Sequence, residues 1–434
     1  MNAATLAATL VARGLDPAER EAKEGMYAAV IETHRMIRPA APVHAWWVPG
    51  RLEVFGKHTD YAGGRTLVCC VPRGFAVVAS PREDRIVRVV DALRGERHTV
   101  ELSGPRASYS GWRQYVEVAA HRLARNFPLR DFGADIVIAS DLPAAAGMSS
   151  SSVLVVAVAT ALGRIVQLQK DPVWRNNIRS GLDVASYYAC IENGRSFAML
   201  AGDAGVGTHG GSEDHTAMVE GRAGHVSAFA FVPPRALGAA PVPRDWRFVI
   251  AASNVAARKT QDAREPYNRL SAGAARLLEI WNQGAPRAVS LAAALSSSPS
   301  AAGRLRDLVD RAATSDMPAD WLRDRLEHFI REDARAWDAL HAFGDGDTRR
   351  LGDLSAASQR DAEKLLHNQV PETSELAASA RKHGAFAACS FGAGFGGAVW
   401  SLVAAADAAA FAGRWNSEAF VMQPGPSVQE LSAV

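Results

Sequence analysis

The order of elements along the chain predicts an α+β fold divided into two domains. Three observations predict it. β-Branched runs crowd the stretch from Trp46 to about Ile138, helical patterns dominate 263–367, and strands alternate with helices too irregularly for a doubly wound parallel sheet. At 434 residues, 48% of them hydrophobic, the chain also exceeds what one compact domain usually holds.

Residues 1–40 read as helical and partly solvated, with Glu19, Glu21, Lys23 and Glu24 supplying charge. Gly74–Ser80, Arg85–Ala92 and Ala134–Ala139 are β-branched runs bounded by Gly, Pro or Asp, and each predicts a strand. Between them Tyr115, Val116, Ala119 and Leu123 fall near helical spacing within Trp112–Asn126. A serine-rich turn at 149–152 leads into Val153–Leu162, an apolar run long enough for a buried helix. A helical stretch over 182–200 and a strand over His225–Val232 follow. Pro233–Arg244, rich in Pro and Ala, is expected as the linker between domains 1–232 and 245–434. The second half opens on a strand, Arg247–Ala252, and continues with helices around 263–281, 303–314, 320–342 and 346–367. The Ala/Ser stretch 288–303 is expected as a loop or frayed helix end, and 385–423 as strand, Gly-rich turn, strand, helix and strand.

Composition excludes several functions. The net charge of +2 comes from 48 basic and 46 acidic residues, with 7% aromatics and no basic tract, so a nucleic-acid surface has no support. No apolar run reaches the roughly 18 residues of a membrane span, and the charged N-terminal stretch does not resemble a signal peptide. A cytoplasmic protein, monomeric or a weak homodimer, is expected. Cys69, Cys70, Cys190 and Cys389 have no ligand-like spacing and are expected as reduced thiols.

Chemistry concentrates in three places. Pro49–Gly64 (PGRLEVFGKHTDYAGG) crowds Arg51, Lys57, His58, Thr59, Asp60 and Tyr61 between Gly-containing turns. Such clusters suit sugar hydroxyls, each of which wants a fixed donor and acceptor, and a polar β-hairpin is the plainer alternative. Asp141–Ser152 (DLPAAAGMSSSS) sets a Gly/Ser turn at a helix start, where free N–H groups and the helix dipole favour an anion. It is not a Walker A loop, and a serine N-cap without ligand is the alternative. In Ser390–Leu402 (SFGAGFGGAVWSL) the glycines match G-x-G-x-x-G but precede a strand-like run, so a backbone-approach loop fits better than a dinucleotide site. His209, Glu213, Asp214 and His215 lie close in sequence, yet H-E-x-x-H is absent and a zinc site has little support.

In this order the segments resemble galactokinase and the wider GHMP kinases over roughly Trp46–Gln423. The first looks like PGRxNxIGEHTDYxxG, the second like the phosphate loop PxGxGLSSSA, and FGAGFGGAVWSLV like the third GHMP motif. The resemblance implies a two-domain GHMP kinase fold, with a ribosomal protein S5 domain 2-like N-terminal domain and a ferredoxin-like α/β C-terminal domain. It implies ATP and Mg²⁺ bound in the cleft and phosphorylation of a sugar's anomeric hydroxyl. Gly147, Ser149, Ser150 and Ser151 would hold the phosphates, with Ser151 and Glu192 as Mg²⁺ ligands and Trp112 and Tyr115 near the adenine. Asp214, at the Asp of G-x-M-D-Q, would face the anomeric hydroxyl beside Arg51. His58, Asp60, Gly211 and Tyr267 (in REPYNR) would form the sugar pocket. Lys57 replaces the Glu of GEHTDY, which in that family meets the sugar's C6 hydroxyl. Three readings stay open: a uronic acid paired with Lys57, a pentose such as L-arabinose, or galactose with Lys57 facing solvent. A non-catalytic sensor of sugar or nucleotide on the same fold is the competing class.

Overall fold

The structure, a computed structural model, describes residues 2–39, 41, 43–128, 133–143, 147–255 and 263–432. The chain begins with helices α1 (Ala3–Ala12), capped by the Asn2 side chain on the Ala4 N–H, and α2 (Arg20–Ile37). The first sheet follows with β1 (His44–Phe55), β2 (Arg65–Pro81), β3 (Ile86–Asp91) and β4 (Arg97–Glu101). Next come α3 (Trp112–Asn126), β5 (Ala134–Ser140), α4 (Ser150–Ile165), α5 (Pro172–Asn177), α6 (Gly181–Asn193), α7 (Glu213–Glu220), β6 (His225–Ala230) and β7 (Arg235–Pro241).

The second half contains β8 (Trp246–Ala252), α8 (Arg264–Gly284), α9 (Leu291–Leu295), α10 (Ala301–Ala312), α11 (Ala319–Asp345) and α12 (Thr348–Asp361). It closes with α13 (Pro371–Lys382), β9 (Ala387–Phe391), β10 (Ala398–Ala404), α14 (Ala408–Trp415), β11 (Phe420–Met422) and β12 (Gln429–Ser432).

The first sheet runs β12-β1-β2-β5-β3-β4, with β6 on the start of β2 and β7 beyond it. Among the described residues of this sheet, only the β3–β5 pair is parallel. On the edge away from β1, β2 serves two neighbours: Arg65–Val68 pairs with β6 and Phe75–Pro81 with β5. β1 is covered on both faces, and its period of two divides its side chains accordingly. Trp46, Val48, Leu52 and Val54 join the core with α3 and α4, while Ala45 and Trp47 pack with Tyr27 and Val30 of α2. The second sheet, β11-β8-β10-β9, is antiparallel throughout. Its strands send Phe248 and Trp400 toward Phe343 of α11, and Val249 and Val399 toward Phe411 and Trp415 of α14. A third cluster, with Leu277, Trp281, Leu305, Leu322 and Phe329, joins α8, α9, α10 and α11.

The fold is α+β, as the sequence predicts, with four local differences. Pro233–Arg244 is not a linker: its centre is β7, an edge strand on β6, because Ala and Gly at alternating positions still pair through the backbone. α6 ends at Gly194, in the left-handed region, rather than near 200. The stretch 288–303 holds the short helix α9, capped by Ser290 on the Ala293 N–H. β12 returns from the chain's end to pair with β1. The four thiols are free, with Cys69, Cys70 and Cys389 buried.

The segment after β1 is locked to the second half through buried polar groups. Lys57 is fully buried, and its Nζ donates to Ser358 Oγ at 2.9 Å and contacts Cys389 Sγ at 3.1 Å, with Glu332 Oε1 at 4.0 Å. Glu332 accepts from the Gly56 N–H, Ser358 Oγ and Arg335. Burial opposes the Lys57 charge, but Cys389, Glu332 and Glu53 outweigh it and hold the ammonium above its ordinary range. Burial likewise opposes the Glu332 charge, and Lys57 and Arg335 outweigh it and hold the carboxylate below its ordinary range. The pair therefore stabilises the fold above the ordinary Glu range near pH ~4.3 and below the ordinary Lys range near pH ~10.4. Its contribution is lost as pH falls through the Glu332 value or rises through that of Lys57. Lys57→Met should lower unfolding stability by about 3 kcal/mol near neutrality, and Lys57→Glu by more, since it would set a third buried carboxylate beside Glu332 and Glu53. Denaturant unfolding checks this. A change within ~0.5 kcal/mol, as for a surface site, contradicts the buried lock.

Candidate active site

A cleft holding about 540 Å³ of space, part of it open to solvent, lies where β1, the 56–64 loop, the C-terminal end of α6, the start of α7, α8 and the β9–β10 turn meet. Each element contributes for a local reason. Arg51 and Glu53 are two apart on β1, so both project from one face, and here that face lines the cavity. The loop after β1 turns through a short helical segment, Asp60–Ala62, which presents His58, Asp60 and Tyr61. α6 brings Glu192 and Asn193 in its last turn, and α7 brings Glu213 and Asp214 in its first. The N-terminal end of a helix favours carboxylates, which suits both acids.

The loop before α7 is fixed by α8. Asn268 accepts from the His209 N–H and donates to the Gly207 carbonyl, while Ser271 donates to the His209 carbonyl. Asn193 holds the Gly210 carbonyl at 3.1 Å. This brings Gly211 against Asp60, where an added Cβ would stand 2.1 Å from Asp60 Oδ2. Any larger residue would force the Asp60 carboxylate to move. Asp60 in turn accepts from the Glu213 N–H at 3.1 Å and the Tyr61 N–H at 2.8 Å. His58 Nε2 meets the Ala393 carbonyl at 3.0 Å and its Nδ1 meets Tyr61 Oη at 2.9 Å, tying the β9–β10 turn to the loop. Tyr267 of α8 lies against the His58 ring, with centroids 5.4 Å apart.

Arg51 is the hub. Its Nε donates to Asp214 Oδ1 at 2.6 Å and lies 3.3 Å from Glu213 Oε1, while its NH1 donates to the Gly147 carbonyl at 3.1 Å. Its backbone N–H reaches the Met148 carbonyl, and Glu53 Oε2 stands 3.9 Å from NH2. Burial opposes the guanidinium's charge, but Asp214, Glu213 and Glu53 outweigh it and raise its pKa. The carboxyls of Glu53 and Glu213 are raised as well, but there the shift favours the neutral form. Burial, above all, raises both; each loses part of that to Arg51, and Glu53 adds to the rise at Glu213. Tyr61 is pushed up to about 12, chiefly by burial.

The serine turn stands beside this hub. Residues 144–146 lie outside the described residues. From Gly147 onward the chain enters α4 with Ser149 as its N-cap in the left-handed region, and Ser149 Oγ is buried without a hydrogen-bond partner. Ser152 Oγ donates to Asp214 Oδ2 at 3.3 Å. Glu192 Oε2 is also buried without a hydrogen-bond partner, with His215 Nε2 3.2 Å away. Among the described residues no three His, Cys, Asp or Glu converge as an all-protein metal site. One free carboxylate oxygen and a free hydroxyl instead suit a hard cation that arrives with phosphate oxygens and keeps water ligands.

Of the residues singled out from the sequence, Arg51, His58, Asp60, Glu192, Gly211, Asp214 and Tyr267 line this one cavity. Gly147, Ser149, Ser150 and Ser151 stand at the start of α4, but the hydroxyl that reaches Asp214 is that of Ser152, one residue further on. One expectation needs correction. Lys57 faces neither sugar nor solvent, because the turn at Gly56 sends it into the buried lock with Ser358 and Cys389. Trp112 and Tyr115, expected near an adenine, lie on α3 outside this cavity, where Trp112 donates to Glu96 at 2.7 Å and Tyr115 is buried in the core. Sequence reasoning missed Glu53 and Asn193, weighed Glu213 and His215 only as part of a poorly supported zinc cluster, and gave Ser152 no role of its own within the serine turn. The alternation of Arg51 and Glu53 along one strand was the available signal for Glu53.

Residues 33–81 match the galactokinase galactose-binding signature, 114–191 the GHMP kinases N terminal domain and 339–421 the GHMP kinases C terminal domain. Galactokinase of Chloroflexus aurantiacus is 30% identical over 390 residues, covering 88% of this chain and 89% of that protein. Galactokinase of Roseiflexus sp. is 29% identical over 388 residues, 86% of this chain and 85% of that protein. Among solved structures, Lactococcus lactis galactokinase complexed with galactose superposes with a TM-score of 0.74 at 22% identity, over 93% of this chain and 99% of that one. Mevalonate kinase of Methanococcus jannaschii shares the fold at a TM-score of 0.56 and 14% identity, over 89% and 99%. Identity of this extent, over nearly the whole of both chains, places the protein in the galactokinase family of the GHMP kinases.

Proposed function

We propose that this protein is an ATP-dependent kinase that phosphorylates the anomeric hydroxyl of galactose or a close relative. The observation that carries the reading is that Arg51 binds, with one guanidinium, both Asp214 in the cavity and the Gly147 carbonyl at the start of α4. A helix N-terminus is where phosphates are held. The acceptor's hydroxyl and the donor's terminal phosphate would therefore meet beside the same guanidinium, between residues 1–232 and 245–434.

The chemistry follows from that placement. Asp60, His58 and Tyr267 would orient the sugar through its hydroxyls. Asp214, held by Arg51 and Ser152, would accept or align the proton of the anomeric hydroxyl as its oxygen bonds to the γ-phosphorus and the bridging P–O bond to ADP breaks. Arg51 would balance the negative charge spread over the transferring phosphoryl oxygens. Mg²⁺, when bound, would neutralise phosphate charge, and Glu192 with the α4 hydroxyls Ser149 and Ser151 are the groups that would hold it. The uronate reading loses its support, since Lys57 offers no charge to the cavity.

Galactose should stimulate ADP release from ATP, with L-arabinose and galacturonate as comparison sugars. No sugar-dependent release from any of them would favour the sensor. Asp214→Asn should lower kcat by about 10²–10⁴-fold with the fold intact by circular dichroism, and an unchanged kcat would sink the assignment. Gly211→Ala should raise the sugar KM at least tenfold, because its Cβ collides with Asp60, and leave the KM for ATP within about threefold.

A further inference from the structure

One buried charge takes no part in the chemistry above. Arg325 stands on α11, 1% exposed and outside the cavity. It donates to the Leu270 carbonyl of α8 at 3.2 Å, to the His58 carbonyl, and to Tyr61 Oη at 3.1 Å, with its guanidinium carbon 5.7 Å from the centre of the Tyr61 ring. Burying a guanidinium on such neutral groups is unfavourable by itself. A second unfavourable feature adjoins it. His58 is in the left-handed region, with φ 58°, which a residue other than glycine keeps only where its surroundings over-determine it. The two meet at the His58 carbonyl. The hydrogen bonds beyond that point are satisfied in one arrangement. The Ala393 carbonyl can only accept, so His58 Nε2, 3.0 Å away, carries the ring proton. Asn368 Nδ2 donates to the same carbonyl at 3.2 Å, one donor for each lone pair, which accounts for its standing 3.3 Å from Nε2. A guanidinium accepts nothing, so its N–H on Tyr61 Oη turns the phenol's own hydrogen toward His58 Nδ1, at 2.9 Å. An imidazolium would instead set two donors on that oxygen and leave the phenol's hydrogen without its acceptor.

We propose that Arg325 is a positioning residue for the sugar side of the cavity: through Tyr61 it holds His58 as the Nε2–H tautomer, and the imidazole in turn fixes the Ala393 carbonyl and the glycine turn that follows. The inference rests on the kinase reading above and narrows the part that His58 plays in it. Both ring nitrogens are engaged with protein groups, so the imidazole acts on a sugar through the walls it sets, Tyr61 and Ala393, which both line the cavity. Asn368, fully buried, accepts the Phe395 N–H on its backbone carbonyl and holds the same turn from further along. Arg325 also reaches α8 one turn from Tyr267, the residue that lies against the His58 ring. The 56–64 loop falls within 33–81, the match to the galactose-binding signature, so loss of the relay belongs in the KM for sugar and not in that for ATP.

The test joins a spectrum to kinetics. Nitrogen NMR of the full chain with isotope-labelled histidine, the His58 signal assigned by its loss in His58→Gln, should show a protonated Nε2 and an unprotonated Nδ1 at neutral pH. Tyr61→Phe should move the Nδ1 resonance and leave the proton on Nε2. A wild-type His58 found as the Nδ1–H tautomer or as imidazolium overturns the relay. Arg325→Lys keeps the charge but cannot reach three acceptors together. Arg325→Lys and Tyr61→Phe should each raise the KM for D-galactose at least tenfold, and Arg325→Lys should leave kcat and the KM for ATP within about threefold of wild type. Because both act through one relay, the double variant should lie within about threefold of the worse single variant. A smaller rise in either, a loss that falls on kcat or on the KM for ATP instead, or a double variant that multiplies the two effects overturns the proposal. If Arg325→Lys does not fold, Tyr61→Phe and the wild-type spectrum decide. If no sugar is turned over, the kinase reading fails and the spectrum alone decides the relay.

Discussion

One buried guanidinium organises this molecule's active region. Arg51 is nearly inaccessible, yet it touches the start of α4 through two carbonyls and the start of α7 through two carboxyls. Burying such a charge is unfavourable unless several partners compensate, and here three acids and the Gly147 carbonyl do so at once. Two helix starts, distant in sequence, are thereby fixed within reach of one another. Everything proposed about phosphoryl transfer depends on that juxtaposition.

The surrounding scaffold holds its parts through a small number of interlocking contacts. β1 delivers Arg51 and Glu53 because it is clamped between α2 on one side and α3 and α4 on the other. The 56–64 loop is held from the second half of the chain, by Lys57 on Ser358 and Cys389, by His58 on Ala393, and by Arg325 on the His58 carbonyl. Loop positions that present reactive groups need such over-determination, since a loop's own backbone rarely fixes a side chain within a fraction of an ångström.

Much of this was legible in the sequence where the signal was local. The helix Trp112–Asn126 and the strand–turn–strand–helix–strand close of the chain follow from periodicity and glycine punctuation alone. Arg51, His58 and Asp60 could be picked out because their polar types sit in one short string, while Gly211 and Asp214 were reached through the resemblance to the kinase motifs. What was not legible depended on direction or on distant partners. Lys57 is one residue from His58, yet the turn at Gly56 aims the two in different directions, and nothing in composition reveals that Ser358 and Glu332 wait for the ammonium. Ser152 rather than Ser151 reaches Asp214 because helical phase, set by where α4 begins, decides which hydroxyl faces inward. β7 escaped notice since an Ala/Gly edge strand carries no hydrophobic alternation.

The central claim, that Arg51 couples the phosphate-binding helix start to the acceptor carboxylate, is tested most directly by Arg51→Lys. A lysine keeps the positive charge but not the fork that reaches Asp214 and Gly147 together. With D-galactose, kcat should fall about 10²-fold or more while the sugar KM changes less than about fivefold. A lysine variant that retains wild-type kcat would show that charge alone suffices, and would contradict the account.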